Sequence, residues 1–190
     1  MAKFFPMMTD LRGENVIIVG SFEKGKEKAE RLRAFGADVT FVDTPVTDTD
    51  VIVGKYPAAV VVADASLVDV EHLFAECKRA RIPMNTVDFP EACSFIFPSM
   101  SVTKHLTVAV STDGACPAAA VKIRKMVEDT IPSEIDDILE WLQTVRRELK
   151  NMDMPSALRQ RAVQNLTAMA FSLNRPLSSE ETDLIINGIC

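Results

Sequence analysis

Asp88 is the residue whose chemical type and setting best suit proton transfer. It follows the apolar run Pro83–Val87 and precedes a loop of proline and apolar residues that reaches Ser99. Open α/β folds keep their ligand crevices at the carboxyl ends of strands, and apolar neighbours favour the neutral form of a carboxyl group. A carboxyl in that setting suits general acid–base chemistry near neutral pH. An aspartate that caps a turn would occupy the same place, so the residues alone leave both roles open.

The turn Gly20–Gly25, with the letters GSFEKG, follows the first apolar run of the chain. In a Rossmann-like fold the diphosphate of a dinucleotide lies at this turn, against the N-terminus of the next helix. The usual fingerprint G-x-G-x-x-G has a glycine where this chain has Phe22, whose side chain must point away or block the diphosphate. The turn alone therefore leaves dinucleotide binding open.

Two further interpretations concern charged residues near this turn. Residues 20–26 also spell G-x-x-x-x-G-K, the start of a phosphate-binding P-loop, but Glu27 replaces the Ser or Thr that would hold magnesium. A carboxylate there would repel phosphates, which disfavours a P-loop. Asp43 follows the second predicted strand, where it suits a bond to an adenosine ribose hydroxyl and equally suits an ordinary turn.

The cysteines and histidines do not form a metal-binding pattern. They are Cys77, Cys93, Cys116, Cys190, His72 and His105. Because the sequence has no CxxC pair and no HExxH spacing, no metal site is expected. Cys116 precedes Pro117 at the start of a predicted helix, where a thiolate is favoured. No histidine is close in sequence to act as its base, which disfavours a nucleophilic role.

Alternating strand and helix patterns predict a parallel sheet. Residues 15–20 and 37–42 are apolar β-branched runs on either side of a helical pattern at 24–35, which makes one βαβ unit. Such units have right-handed crossovers, and their strands are buried on both faces. The other predicted elements are strands at 58–63, 83–87 and 106–111, and helices at 68–80 and 117–131.

Beyond Pro132 the pattern is purely helical. Ser133 and Asp136 resemble a capping box, and an apolar stripe then continues to Leu149. A second helix is predicted from Ser156 to Leu173, and a short one capped by Ser179 ends at Gly188. The fold class is therefore α/β, a Rossmann-like parallel sheet domain followed by a small all-helical region.

Composition limits the classes of function. The 190 residues are 47% hydrophobic and 25% charged, with a net charge of -6 and a pI near 5.0. An acidic chain does not fit a nucleic-acid surface, which needs a basic stripe to displace counterions. No apolar run approaches the roughly 20 residues of a membrane span, and the N-terminus lacks the core of a secretory signal. A cytoplasmic location is expected.

The segment VDFPEACSFIFPS at 87–99 resembles the V-D-x-P-x-x-x-S-F-I-x-P-S segment of the precorrin-2 dehydrogenase family, the N-terminal module of siroheme synthase. The flanking pieces agree in order: LRG before the first strand, K-A-x-x-L in the first helix, FGADVTFV as the second strand and LTVAVSTDGACPAAA before a helix. The resemblance covers roughly residues 4–132, and the helical remainder also fits the family.

This resemblance implies NAD-dependent oxidation of precorrin-2 to sirohydrochlorin, and in some members insertion of ferrous iron to give siroheme. It places the catalytic residue at Asp88, which accepts a proton as hydride leaves to nicotinamide, or takes pyrrole protons during chelation. The implied NAD contacts are Gly20, Glu23, Lys24, Asp43, Thr44, Pro45 and Asp64. A basic rim for the carboxylates of the tetrapyrrole falls on Lys104, His105, Lys122, Arg124 and Lys125.

The family also implies a division of the chain and a homodimer. The regions are a Rossmann-like NAD-binding domain at 1–113, a dimerisation region at 114–150 and a helical C-terminal subdomain at 151–190. Phe22 and the short stretch between Val42 and Ala58 depart from the family pattern at the cofactor site. Two alternatives therefore stand beside the dehydrogenase: a chelatase-only enzyme, and a non-catalytic tetrapyrrole-binding protein that has lost NAD binding.

Overall fold

The computed structural model describes residues 4–188, which divide into two compact units between Phe97 and Pro98. None of the helices within these residues is long and apolar enough to cross a bilayer.

The first unit is a parallel α/β sheet. Its elements in chain order are β1 (Asn15–Val19), α1 (Phe22–Arg33), β2 (Asp38–Val42), α2 (Asp50–Val53), β3 (Ala59–Val62), α3 (Val70–Ala80) and β4 (Met84–Thr86). The sheet order is β2-β1-β3-β4, and every pairing is parallel. The chain leaves β1 toward β2 and then crosses to β3 on the other side of β1. The point where strand order reverses therefore lies between β1 and β3, where open α/β folds bind their ligands.

Burial on both faces explains the apolar runs in β1 and β3. In β1, Ile17 and Val19 join a core with α2 and α3, while Val16 and Ile18 join a second core with α1. All four side chains are fully buried. This confirms the prediction from the β-branched runs, because neighbouring residues of a strand point to opposite faces.

The second unit contains a β-hairpin and helices. Its elements are β5 (Ser99–Val102), β6 (Thr107–Val110), α4 (Pro117–Glu128), α5 (Ile135–Asn151), α6 (Ser156–Leu173) and α7 (Ser179–Asn187). The main core of this unit joins α5, α6 and α7 through Ile138, Leu142, Leu166, Ala170 and Ile186. The overall class, a Rossmann-like sheet followed by a mainly helical region, is as predicted.

The strand predicted at 106–111 is present, but it lies in the second unit. Thr107–Val110 pairs antiparallel with Ser99–Val102, a strand that the sequence pattern did not predict. The connection between them is short, so an antiparallel neighbour is immediately available. The parallel sheet ends at β4, and the two compact units divide between Phe97 and Pro98.

The predicted capping box at α5 is wrong. The helix begins at Ile135 and its N-cap residue, Glu134, makes no side-chain cap. Asp136 instead accepts hydrogen bonds from Thr103 Oγ1 at 2.7 Å and from the backbone nitrogens of Lys104 and His105 at 3.1 and 2.8 Å. The hairpin turn has N–H groups that need an acceptor, and they hold the pKa of Asp136 below its usual value, with the Thr103 hydroxyl as the largest cause.

Helix α7 has the capping box that α5 lacks. Ser178, one residue before the predicted cap, accepts from the backbone N–H of Glu181, whose carboxylate accepts from the Ser178 N–H. Arg175 adds two hydrogen bonds to the same carboxylate, at 2.8 and 2.9 Å. The start of α7 is thus fixed by a reciprocal pair and a bidentate cation.

Candidate functional site

The turn after β1 needs glycine at its first position. Gly20 has φ +145°, and an added Cβ would lie 3.2 Å from the Ala63 Cβ and 3.3 Å from the Asp64 nitrogen. Its N–H donates to the Val42 carbonyl at 2.8 Å, which ties the turn to the end of β2. Gly20 therefore has the role of the first glycine of a dinucleotide fingerprint, a tight turn that a side chain would strain.

Gly25 has the role of the third glycine, close packing of the helix on the sheet. An added Cβ would lie 2.7 Å from both the Ile18 Cγ2 and the Phe41 Cε1. Helix α1 approaches β1 and β2 this closely only because position 25 has no side chain. Two of the three glycine roles of the fingerprint are present.

Phe22, at the middle position, turns toward β2. Its ring centroid lies 5.7 Å from that of Phe41, and the side chain is 49% exposed. Phe41 lies on the opposite side of β1 from β3, so this side chain does not fill the point where strand order reverses. Ser21 begins the helix, and its hydroxyl accepts from the Lys24 N–H at 3.4 Å.

Lys24 and Asp64 form an ion pair between the turn after β1 and the end of β3. The Lys24 Nζ lies 2.5 Å from the Asp64 Oδ2, with the lysine side chain 56% exposed and the aspartate 16% exposed. Asp64 also accepts from the Ser66 hydroxyl at 2.7 Å and the Ser66 N–H at 3.2 Å. The bond from Lys24, followed by those from Ser66, lowers the pKa of Asp64 to about 2.

The other predicted cofactor residues also lie at the carboxyl ends of the parallel strands, as Lys24 and Asp64 do. Asp43, Thr44 and Pro45 follow β2 and are exposed, and Glu23 is exposed in the first turn of α1. Strands β2, β1 and β3 are adjacent and parallel, so the residues that follow them meet along one edge of the sheet. The structure thus places the predicted cofactor residues along one edge of the sheet.

Asp88 stands on this same carboxyl edge, after β4. The Val87 N–H donates to the Val62 carbonyl at 3.2 Å, so the chain leaves the sheet directly beside the end of β3. Its carboxylate makes no hydrogen bond or ion pair with residues 4–188, and the side chain is exposed. It does not cap a turn, but the expected apolar shielding is also absent. The apolar residues on either side of it, Val87 and Phe89, are themselves exposed, whereas Ala92 of the loop is buried against the sheet.

The loop after Asp88 is anchored by residues that the sequence did not single out. Ser94 exchanges hydrogen bonds with Met84: its N–H donates to the Met84 carbonyl and its hydroxyl accepts from the Met84 N–H, both at 2.8 Å. The buried Cys93 thiol lies 3.3 Å from the Thr86 nitrogen. Asn85 donates to the Phe95 carbonyl at 3.1 Å. Nothing in the periodicity of the sequence signals that these side chains cover the free edge of β4.

The end of the same loop reaches helix α1. Lys28 Nζ lies 4.7 Å from the centroid of the Phe97 ring, and Phe95 and Phe97 have ring centroids 5.3 Å apart. Burial lowers the pKa of Lys28. This cation–π contact joins the loop after Asp88 to helix α1, which begins in the turn Gly20–Gly25.

Part of the predicted basic rim, in the second unit, is already paired with carboxylates. Lys104 pairs with Glu140 at 2.5 Å, His105 lies 3.7 Å from the same carboxylate, and Arg124 pairs with Glu128. Lys122 and Lys125 are exposed on α4. Charges that already have carboxylate partners attract an anionic substrate less, so this rim is weaker than predicted.

Cys116 is an exposed free thiol before α4. Its N–H donates to the Thr112 hydroxyl at 3.1 Å, and the Thr112 hydroxyl donates to its carbonyl at 3.0 Å. Among residues 4–188, no three His, Cys, Asp or Glu side chains are grouped as metal ligands.

Comparison with known proteins connects this arrangement to a family. Residues 7–99 match the family model described as "Putative NAD(P)-binding". The siroheme synthase of Pseudomonas aeruginosa (strain LESB58) is 32% identical over 168 residues, which cover 78% of this chain and 36% of that protein. The siroheme synthase of Saccharophagus degradans is 25% identical over 194 residues, 93% of this chain and 41% of the relative.

The chain thus spans about a third of the length of the curated relatives it matches. A solved structure, "SirC, precorrin-2 dehydrogenase", superposes with a TM-score of 0.65 over 98% of both chains at 16% identity, which shows a shared fold. The matched segment 7–99 contains the glycine turn, the parallel sheet and the loop of Asp88. This chain is therefore similar to siroheme synthases over about a third of their length and has the fold of a precorrin-2 dehydrogenase.

Proposed function

We propose that this protein oxidises precorrin-2 to sirohydrochlorin with NAD as the hydride acceptor. The observation that carries the proposal is the position of Asp88, a carboxylate without a partner among residues 4–188, on the sheet edge that also carries the glycine turn. The similarity to siroheme synthases and the match of residues 7–99 to the "Putative NAD(P)-binding" model support it. A cytoplasmic location remains part of the proposal.

The residues at the β1 turn fit a dinucleotide. Gly20 and Gly25 supply the turn and the close packing, and the first N–H groups of α1 have no partner within the helix. Asp43, with Thr44 and Pro45 beside it, suits the adenosine ribose, while Glu23, Lys24 and Asp64 surround the diphosphate position. NAD, when bound, removes two electrons and a proton from the substrate as a hydride.

Asp88 supplies the proton chemistry. The balanced reaction converts precorrin-2 and NAD⁺ into sirohydrochlorin, NADH and one proton, so a base must take a proton as the hydride leaves. An exposed carboxylate takes that proton and passes it to water. The Cys93 and Ser94 contacts fix the base of the loop and so restrict where this carboxylate can stand.

The direct test is to incubate the purified protein with precorrin-2 and NAD and follow NADH formation. We expect NADH to form in proportion to protein. If NADH forms no faster than in a protein-free blank, the dehydrogenase assignment is wrong. A matched incubation with NAD but no tetrapyrrole controls for a contaminating dehydrogenase.

Chelation of ferrous iron is the second candidate. Phe22 favours it, because its Cβ restricts the approach of a diphosphate to the backbone even though the ring turns toward Phe41. Ferrous iron would then be a substrate, and Asp88 would take pyrrole protons. Iron insertion into supplied sirohydrochlorin by a protein that shows no NAD affinity would favour chelatase over dehydrogenase.

We also propose a homodimer joined through residues 114–150. Helix α4 exposes Val121, Ile123 and Met126 and buries only Ala120 among the side chains described for it. An amphipathic helix with so little burial gains stability from a partner surface. Sedimentation should give twice the chain mass, and Met126→Glu should give the monomer; Leu184→Glu, on the exposed side of α7, is the matched control.

A further inference from the structure

The ion pair of Lys24 and Asp64 stands at the proposed diphosphate position. Asp64 packs directly against the turn, since an added Cβ on Gly20 would lie 3.4 Å from the Asp64 Cβ. Two bonds from Ser66 orient the carboxylate, and it is mostly buried. Lys24 is the more exposed partner, on the first turn of α1. The aspartate is the fixed member of the pair and the lysine the one that can exchange partners.

A fixed carboxylate at this position opposes an incoming diphosphate. Like charges repel, and Asp64 is one strand away from the α1 N-terminus that would receive the anion. Lys24 neutralises Asp64 while the pair is intact. The same ammonium group would neutralise the diphosphate if it left the carboxylate.

We propose that Lys24 is the residue that receives the dinucleotide diphosphate, and that Asp64 is its internal competitor. This rests on the proposed NAD site. Lys24 exchanges Asp64 for the diphosphate on binding, so Asp64 weakens binding in two ways, by holding Lys24 and by repelling the diphosphate. The charge of Lys24 substitutes for the close backbone contact that Phe22 restricts.

The alternative role for Asp64 is a hydrogen bond to a cofactor hydroxyl, with Lys24 remaining paired. The two roles predict opposite effects of Asp64→Asn. Asparagine keeps the acceptor for Ser66 and removes the charge. If Asp64 competes for Lys24, the variant binds NAD more tightly, whereas the loss of a charged contact to a hydroxyl makes binding weaker.

The test is calorimetric titration of NAD into the wild type, Asp64→Asn, Lys24→Met and the double variant. We expect Asp64→Asn to lower the Kd about three- to tenfold, as for the removal of a partly screened like charge. Lys24→Met should raise the Kd by a similar factor. In the Lys24→Met background, Asp64→Asn should give less tightening than in the wild type, because the competition for the lysine is gone. Asp38→Asn is the matched control, because Asp38 begins β2 and so lies at the amino end of the strands; it should leave the Kd unchanged.

Two further ligands test whether the change in NAD affinity arises at the diphosphate. Inorganic pyrophosphate should displace NAD, and its own affinity should rise in Asp64→Asn. Adenosine lacks a diphosphate, so its affinity should be the same in both proteins. Weaker or unchanged NAD binding in Asp64→Asn overturns the inference, as does an equal change for adenosine.

The outcomes separate the inference from the proposed function. If the wild type binds NAD and Asp64→Asn binds it no more tightly, only the competitor role of Asp64 fails. If neither the wild type nor any of the variants binds NAD, the proposed cofactor site fails as well. Lys24→Met changes an exposed side chain, so unchanged NAD affinity in this folded variant also contradicts the inference.

Discussion

The Cys93 thiol lies 3.3 Å from the backbone nitrogen of Thr86, so a side chain takes the place of the next strand at the edge of the sheet. Its sulfur is also 3.4 Å from the Thr86 carbonyl, and Ser94 pairs in the same way with Met84. Edge strands leave backbone groups without partners unless something covers them. Here the covering segment is the loop that carries Asp88. The same contacts therefore cover the edge of β4 and hold the loop that positions the Asp88 carboxylate.

Removing the thiol should destabilise the first unit. Cys93→Ala leaves the Thr86 N–H buried without an acceptor, which costs about 1–3 kcal/mol in the free energy of unfolding. Urea denaturation measures this loss. Cys116→Ser changes an exposed thiol and should stay within about 0.5 kcal/mol of the wild type. Equal stability of Cys93→Ala and the wild type would show that the sulfur contributes nothing to this edge.

Gly25→Ala should destabilise the protein although alanine is the better helix former. The new Cβ would stand 2.7 Å from Ile18 and Phe41, so α1 must move away from the sheet. Overpacking of this kind costs about 1–3 kcal/mol, against a propensity gain of about 1 kcal/mol. We expect a lower urea midpoint and weaker NAD binding. Lys26→Ala, on the exposed side of the same helix, is the control; a stabilised Gly25→Ala protein would contradict the close packing.

Asp43 should set the preference for NAD over NADP. Its carboxylate follows β2, where an acidic residue accepts from the ribose hydroxyl and repels a 2′-phosphate. Asp43→Ser should reduce the ratio of NAD to NADP affinity by roughly tenfold. Titration of both dinucleotides measures the ratio. The same ratio in Asp43→Ser and the wild type would place the adenosine ribose elsewhere.

The start of α7 should lose stability in acid. Arg175, followed by the Ser178 N–H, lowers the pKa of Glu181 from its usual value of 4.5 to about 2. A carboxyl whose pKa is lower in the folded state stabilises that state above pH 4.5, and this contribution is lost as the pH falls from 4.5 toward 2. The Tm of Glu181→Gln should be below that of the wild type at pH 7 and converge with it near pH 2. Glu180→Gln, a neighbouring exposed carboxyl, should show a smaller difference at pH 7; a Glu181→Gln difference that persists at pH 2 would contradict this account.

The sheet was predictable because its strands carry the pattern that burial on both faces requires. Val16 to Val19 have no polar position, and Gly20 marks the end of the strand before a helical spacing begins. Gly25 was also visible in the letters, although only the structure shows that Ile18 and Phe41 occupy the space of its missing side chain.

The parts that were not predictable depend on partners far apart in sequence. Lys24 and Asp64 are 40 positions apart, and Asp136 binds a turn 31–33 positions earlier. No periodic pattern encodes such pairs. The strand Ser99–Val102 was missed because serine and methionine are weak strand signals, and its pairing depends on the short hairpin that follows.

Turnover of Asp88→Asn tests the central claim most directly. The variant keeps the shape of the side chain and removes its ability to take a proton. NADH formation from precorrin-2 should fall about 100-fold or more, while the affinities for NAD and tetrapyrrole, measured by titration, stay near those of the wild type. Glu91→Gln, in the same exposed loop, should retain turnover. Wild-type turnover in Asp88→Asn would contradict the role of this carboxylate.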